Sequence, residues 1–128
     1  MKIYYAFFIL LVFAFGCETD GMMSDLAPPI IEIFEPIDTV YAMSGESFSI
    51  FGRLSDKQDI EQMTFKSNPL GLNGLILPSD FDKPTGGTFN ITIEIDELTP
   101  SGSYDIELTA SDLAGNMVRL DLPIVVSN

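Results

Sequence analysis

The sequence predicts an all-β fold, an antiparallel β-sandwich of about seven strands. Apolar and polar residues alternate in short runs through most of residues 29–128, and turn-forming residues separate these runs. No segment of that region has a helical period. Because successive side chains of a strand point to opposite faces, each run can bury one face and expose the other.

The runs of alternation define the strands in order, and a turn signal lies between two of them. Asn73-Gly74, between Leu72 and Leu75, predicts a two-residue hairpin turn, because both central positions of a type I′ turn need positive φ. The predicted inward stripes are Ile31 and Ile33; Phe48, Ile50 and Leu54; Met63 and Phe65; Phe89, Ile91, Ile93 and Ile95; Tyr104, Ile106, Leu108 and Ala110; and Val118, Leu120, Leu122, Ile124 and Val126.

The N-terminal residues have the pattern of an export leader. Lys2 precedes an uninterrupted apolar run that is too short to span a bilayer comfortably. Gly16 then precedes Cys17, the only cysteine, and this pattern resembles the lipobox of bacterial lipoproteins. The resemblance implies that residues 1–16 are removed as a signal peptide and that Cys17 is acylated. An uncleaved anchor helix and an ordinary secretory peptide are the alternatives.

The leader and the charge together predict where the protein resides and what it contacts. Residues 17–28 have no period and contain Gly, Ser, Asp and Pro, so we expect a flexible tether between the lipid and a domain at 29–128. The resemblance to lipoproteins implies an outer-membrane location in a gram-negative bacterium, on the periplasmic or the surface side. The net charge of −13 argues against nucleic acid and against direct adsorption to anionic lipid. Membrane contact would therefore run through the acyl chains.

Two motifs near the C-terminus carry a more specific resemblance. Leu98-Thr-Pro100-Ser-Gly-Ser-Tyr104 resembles the tyrosine corner of fibronectin type III and related immunoglobulin-like domains, in which the tyrosine hydroxyl bonds back to the backbone. Asp112-Leu-Ala-Gly115-Asn116 resembles a turn of bacterial Ig-like and cadherin-like modules. Both of its last two residue types tolerate left-handed backbone. The resemblance implies an Ig-like sandwich, of the kind found in small lipoproteins with a domain of unknown function beside glycan-uptake systems.

The composition argues against catalysis. The chain has no histidine, which removes the commonest general base and the commonest zinc ligand, and acylation would remove the thiol of Cys17. Carboxylate pairs such as Asp80 and Asp82 would need a cleft in which one acid has a raised pKa, and a sandwich of this size rarely has one. We therefore predict that the protein is not an enzyme.

Acidic residues in the predicted loops suggest a calcium site. An Ig-like topology would gather these loops at one end of the sandwich, and calcium takes six to eight oxygen ligands. The candidate ligands are Asp56, Asp59, Asp112 and Asn116, and no cofactor other than calcium is predicted. The favoured interpretation of Asp112 itself is that it accepts hydrogen bonds from backbone amides of its own turn.

A few aromatic residues fall outside the predicted core and are candidates for ligand contact. These are Tyr41, Phe51 and Phe81, of which Phe81 lies between Asp80 and Asp82 in a predicted loop. The alternative for Phe81 is that its ring folds back to cover the edge of the core. We therefore expect a module that contacts envelope proteins through its loops or an open sheet edge, accessory to an assembly such as a glycan-uptake system. The alternative is a surface carbohydrate-binding module assisted by calcium.

Overall fold

The computed structural model describes residues 26–128, which form eight β-strands and one short 3₁₀ turn. The predicted leader at 1–16, Cys17 and the tether up to residue 25 lie outside the described residues. No helix long and apolar enough to cross a membrane occurs in the described part. The strands are β1 (Ile30–Glu35), β2 (Val40–Met43), β3 (Ser47–Ser55), β4 (Ile60–Ser67), β5 (Leu72–Ile76), β6 (Gly86–Glu94), β7 (Gly102–Asp112) and β8 (Met117–Ser127), and the 3₁₀ turn is Pro78–Asp80.

The strands form two sheets that face each other. One sheet has three strands in the order β1-β3-β6, and the other has five in the order β2-β8-β7-β4-β5. Strand β2 runs parallel to β8, and the other strand pairs of the described residues are antiparallel. The prediction of an all-β sandwich is confirmed, with eight strands where about seven were expected.

The core consists of the side chains that alternation directs inward. Ile91 and Ile93 of β6 are buried in the same core cluster as Ile106 and Leu108 of β7, while the residues between them are exposed or half-buried. Removing a Leu or Ile side chain from water contributes about 1.5–3 kcal/mol. Alternation between the two faces of each strand therefore explains how the domain closes without a disulfide. The buried apolar residues are Val40, Ala42, Ile50, Leu54, Ile60, Met63, Phe81, Phe89, Ile91, Ile93, Ile95, Ile106, Leu108, Ala110, Leu122, Ile124 and Val126.

The predicted hairpin turn at Asn73-Gly74 is wrong. Both residues lie inside β5, and the turn that joins β4 to β5 comes earlier, where Gly71 has a φ of 66° and its N–H donates to the carbonyl of Asn68. Gly74 lies opposite Phe65 of β4, and a Cβ built on Gly74 would overlap the Phe65 ring. Gly74 therefore provides room for a cross-strand ring, and no positive φ is involved.

The tyrosine corner at the start of β7 is confirmed. The hydroxyl of Tyr104 donates to the carbonyl of Pro100 at 2.6 Å. Tyr104 is half-buried and packs against the core. This hydrogen bond connects the segment between β6 and β7, which passes from one sheet to the other, to the first residues of β7. It thereby fixes where β7 begins.

Candidate functional site

The β7–β8 turn uses the Asp112 carboxylate as an internal acceptor. The backbone N–H of Asn116 donates to Oδ1 of Asp112 at 2.8 Å, and the Asn116 side-chain Nδ2 donates to Oδ2 at 2.8 Å. Gly115 takes the left-handed conformation with a φ of 88°. The expectation that Asn116 shares this conformation is wrong: no residue other than glycine between 26 and 128 has positive φ, and Asn116 acts through its amide. The prediction that Asp112 bonds its own turn is confirmed.

Hydrogen bonding sets the charge state of Asp112, which is only 1% exposed. Burial acts to raise the pKa of the Asp112 carboxyl group. The hydrogen bonds from Asn116 and from the backbone N–H of Ala114 act in the opposite direction and outweigh burial, so the pKa of Asp112 lies below its usual value. At neutral pH the group is an ionised carboxylate that holds the turn together.

The structure brings Asp56 to this turn, as the calcium hypothesis requires, but it uses Asp59 differently. The Asp56 carboxyl group is near enough to Asp112 to hydrogen-bond to it, which helps to lower the pKa of Asp112. Asp59 contributes its backbone carbonyl, which accepts from the N–H of Leu113 at 3.0 Å. No group of three or more acidic, histidine or cysteine residues placed to hold a metal occurs among residues 26–128. Two carboxylates would leave calcium to find most of its oxygen ligands elsewhere, and a calcium site stays a prediction.

The predicted ligand-contact residues do not form one site. Phe81 is only 9% exposed and packs in the core, so the expectation that its ring stands outside is wrong and the alternative that it covers the core edge is confirmed. The Asp80 carboxylate accepts from the N–H of Leu77 at 2.9 Å and caps the 3₁₀ turn, while Asp82 is exposed. Tyr41 is 79% exposed on β2, at the edge of the five-stranded sheet opposite β5.

An aromatic patch on the outer face of the three-stranded sheet involves a residue that the sequence pattern did not single out. Phe34 and Phe51 are 38% and 39% exposed, and their ring centroids lie 5.5 Å apart in an edge-to-face arrangement. The guanidinium of Arg53 lies 5.9 Å from the centroid of Phe34 and is bound by the Glu32 carboxylate at 2.6 Å. We call these residues the Phe34 patch. Phe51 was predicted to lie outside the core, and alternation from Ile33 would have placed Phe34 there too.

A groove lies along the rim of the sandwich at which β5 and β6 are the edge strands of the two sheets. It encloses about 720 Å³ between the end of β6 and the β4–β5 turn, and we call it the rim groove. Acidic residues line it, and no lysine or arginine does. The acidic lining residues are Glu46, Glu94, Asp96 and Glu97.

Comparison with known proteins concerns the fold. Neither a protein-family model nor a curated protein sequence matches this chain. The fibronectin(III)-like modules of CbhA from Clostridium thermocellum are similar in structure, with a TM-score of 0.55 and 14% identity over 77% of this chain and 46% of that one. The titin M3 domain is similar with a TM-score of 0.50 and 13% identity over 79% of this chain and 98% of that one. This chain thus spans less than half the length of the CbhA chain, and the described residues form a single immunoglobulin-like β-sandwich domain.

Proposed function

We propose that this protein is a non-enzymatic, lipid-anchored module of a gram-negative outer membrane that binds other envelope proteins. Acylated Cys17 would hold the domain at the membrane, and the domain would serve an envelope assembly such as one that takes up glycans. The Ig-like fold supports a binding or structural role, and the absence of histidine from the sequence supports a role without catalysis.

The Phe34 patch carries this proposal. Phenylalanine and arginine are enriched in protein interfaces, and a buried aromatic or arginine at the centre of an interface often dominates its binding energy. Arg53 is already oriented by Glu32 and by the face of Phe34, so a partner would not have to order that long side chain. The patch lies on the outer sheet surface, where a protein can reach both rings without opening the core.

Photo-crosslinking in the envelope tests the proposal. A p-benzoylphenylalanine at position 51 is expected to give one discrete crosslinked partner, and Phe34→Ala or Arg53→Ala is expected to weaken that band. The same crosslinker at Leu113, which is exposed in the β7–β8 turn, is the matched control and is expected to give none. No band from position 51, or equal bands from both positions, contradicts a partner at the Phe34 patch.

Mass spectrometry of the mature protein tests the anchor separately. We expect an N-terminus at Cys17 that carries acyl chains. An unmodified thiol or an intact leader would remove the membrane anchor from the proposal and leave the binding surface to stand alone.

The alternative is a surface carbohydrate-binding module assisted by calcium. The two adjacent carboxyl groups of Asp56 and Asp112 favour a cation there, because carboxylate oxygens are ligands that calcium prefers. Burial of Phe81 removes the ring that the loop would have offered to a sugar, which leaves Tyr41 and Asp82 as exposed candidates. A glycan array with and without calcium tests this alternative, which predicts binding that calcium strengthens and Asp56→Asn abolishes.

A further inference from the structure

Strand β6 has a free edge along most of its length. It pairs with β3 on one side and has no strand on the other. In an antiparallel pair, successive residues direct their backbone N–H and C=O groups alternately towards the neighbour and away from it. The N–H of Ile95 donates to the carbonyl of Glu46, so the odd-numbered residues of β6 face β3. The residues whose backbone groups face outward are therefore Thr88, Asn90, Thr92 and Glu94.

None of these outward groups has a partner within residues 26–128, because no backbone hydrogen bond outside the sheets involves those four residues. From Thr88 to Glu94 the edge is about 20 Å long at roughly 3.4 Å per residue. Phe81 and Asp82 lie against the beginning of the strand, near Gly87. The remaining edge is long enough for a seven-residue extended segment.

The space beside this edge has room for an added strand. The rim groove lies next to Thr92 and Glu94, and a second hollow of about 250 Å³ lies next to Thr88 and Asn90. Apolar side chains form part of the lining of both hollows, among them Leu72 in the first and Ile76 in the second, beside polar and acidic residues. An added strand would thus find apolar contacts at Leu72 and Ile76 on its inward face and solvent on its outward face.

The charge of the rim groove decides which occupant fits. The side-chain carboxylates of Glu94 and Glu97 make no hydrogen bond or ion pair in the described part of the chain. Cationic side chains of a bound protein could therefore pair with both of them. The predicted tether carries three acidic residues between positions 17 and 25 and no basic one, so it would be repelled. A second copy paired edge to edge would bring like charges together, which is a known protection against such pairing.

We propose that β6 binds an extended basic peptide segment of another protein as an added strand. Main-chain hydrogen bonds to the outward groups of β6 would supply affinity, and alternate side chains would supply specificity. Apolar residues of the segment would pack on Leu72 and Ile76, and its Lys or Arg residues would pair with Glu94 and Glu97. This inference rests on the proposed function for the class of partner, a protein, but it assigns a different surface from the Phe34 patch.

Three synthetic peptides test the proposal on the full chain purified in a nonionic detergent. The first is a seven-residue peptide of alternating Lys and Val, and it is expected to bind. The second replaces each Lys by Glu and is expected to bind at least about tenfold more weakly. The third keeps the Lys-Val sequence but is N-methylated at alternate residues, so it keeps its charge and loses strand donors. It is also expected to lose about tenfold or more.

A matched pair of double variants locates the site. Glu94→Lys with Glu97→Lys is expected to weaken the Lys-Val peptide about tenfold or more. Asp38→Lys with Asp105→Lys makes the same change in net charge at exposed positions away from the groove, and it is expected to leave binding within about twofold. Equal loss in both variants would show attraction by net charge alone and would overturn the proposal, as would equal binding of the N-methylated peptide.

Hydrogen exchange measured by NMR gives an independent readout of strand addition. The amides of Thr88, Asn90, Thr92 and Glu94 are expected to exchange more slowly when the Lys-Val peptide is bound. Protection of the β5 edge in their place, or no binding at all, would overturn the proposal. Phe34→Ala tests independence from the proposed function, because it is expected to leave peptide binding unchanged while it weakens the crosslink from position 51.

Discussion

The replacement of Gly74 by alanine tests why a glycine lies in the middle of β5. A Cβ at this position would overlap the Cζ, Cε1 and Cε2 atoms of the Phe65 ring on the neighbouring strand. The ring would have to move off the sheet, and overpacking of this kind costs about 1–3 kcal/mol. For a domain of this size each kcal/mol corresponds to roughly 4–8 °C in melting temperature.

The size of the effect depends on the ring, which makes the explanation testable. In a Phe65→Ala background the space is empty, and alanine has the smaller backbone entropy loss, so Gly74→Ala is expected to be neutral or stabilising by up to about 1 kcal/mol. The coupling between the two positions is therefore expected to be about 1–4 kcal/mol, most of which falls in the range for residues in contact.

Urea denaturation of the parent, the two single variants and the double variant measures this coupling, and Phe65→Leu replaces Phe65→Ala if the latter does not fold. If Gly74 were needed for a turn with positive φ, the cost of alanine would persist in the absence of the ring. Additive effects of the two substitutions would refute a steric role for the Phe65 ring.

Two further predictions concern polar groups that fix the turns. Tyr104→Phe removes the hydroxyl that donates to Pro100 and is expected to reduce the free energy of unfolding by about 1 kcal/mol, while Tyr41→Phe, on an exposed ring, is expected to change nothing measurable in urea denaturation. Because the pKa of Asp112 is lowered in the folded state, the stabilisation it provides is present above its ordinary value of 3.8 and is lost as the pH falls below that value. The stability difference between the parent and Asp112→Asn is therefore expected to shrink on acidification from about pH 5 to about pH 2; a constant difference over this range would contradict the assignment.

Alternation and short motifs predicted most of the fold because they depend on interactions between residues that are close in the sequence. A strand that buries one face must place apolar residues at every second position, and the stripes from Phe89 to Ile95 and from Ile106 to Ala110 do so. The tyrosine corner was also predictable, since donor and acceptor lie only four residues apart. The same holds for Asp112 and its own turn.

Two of the errors share one cause, which is that packing against another element outweighed a local signal. Asn73-Gly74 has the composition of a turn, but Phe65 from the adjacent strand needs the space above Gly74. Phe81 is flanked by polar residues, but the gap between the sheets buries it. The residues that flank Gly74 and Phe81 in the sequence do not reveal either of these packing environments.

The candidate surfaces depend even more on packing. Exposure of Phe51 followed from its position in a strand, but the contacts of Phe34 with Phe51 and with Arg53 required the register between β1 and β3. The rim groove combines the end of β6 with a turn more than twenty positions earlier in the chain.

Side-chain chemistry at fixed spacing was enough to establish that the chain forms strands, which face of most strands is apolar, and that the protein is strongly acidic. Three other properties could be seen only in the folded domain and not in the sequence. Strand β6 has a free edge, carboxylates without partners in the described part gather beside it, and two phenylalanines and an arginine meet on the outer face. Strand order and register set these contacts, because they determine which distant residues become neighbours.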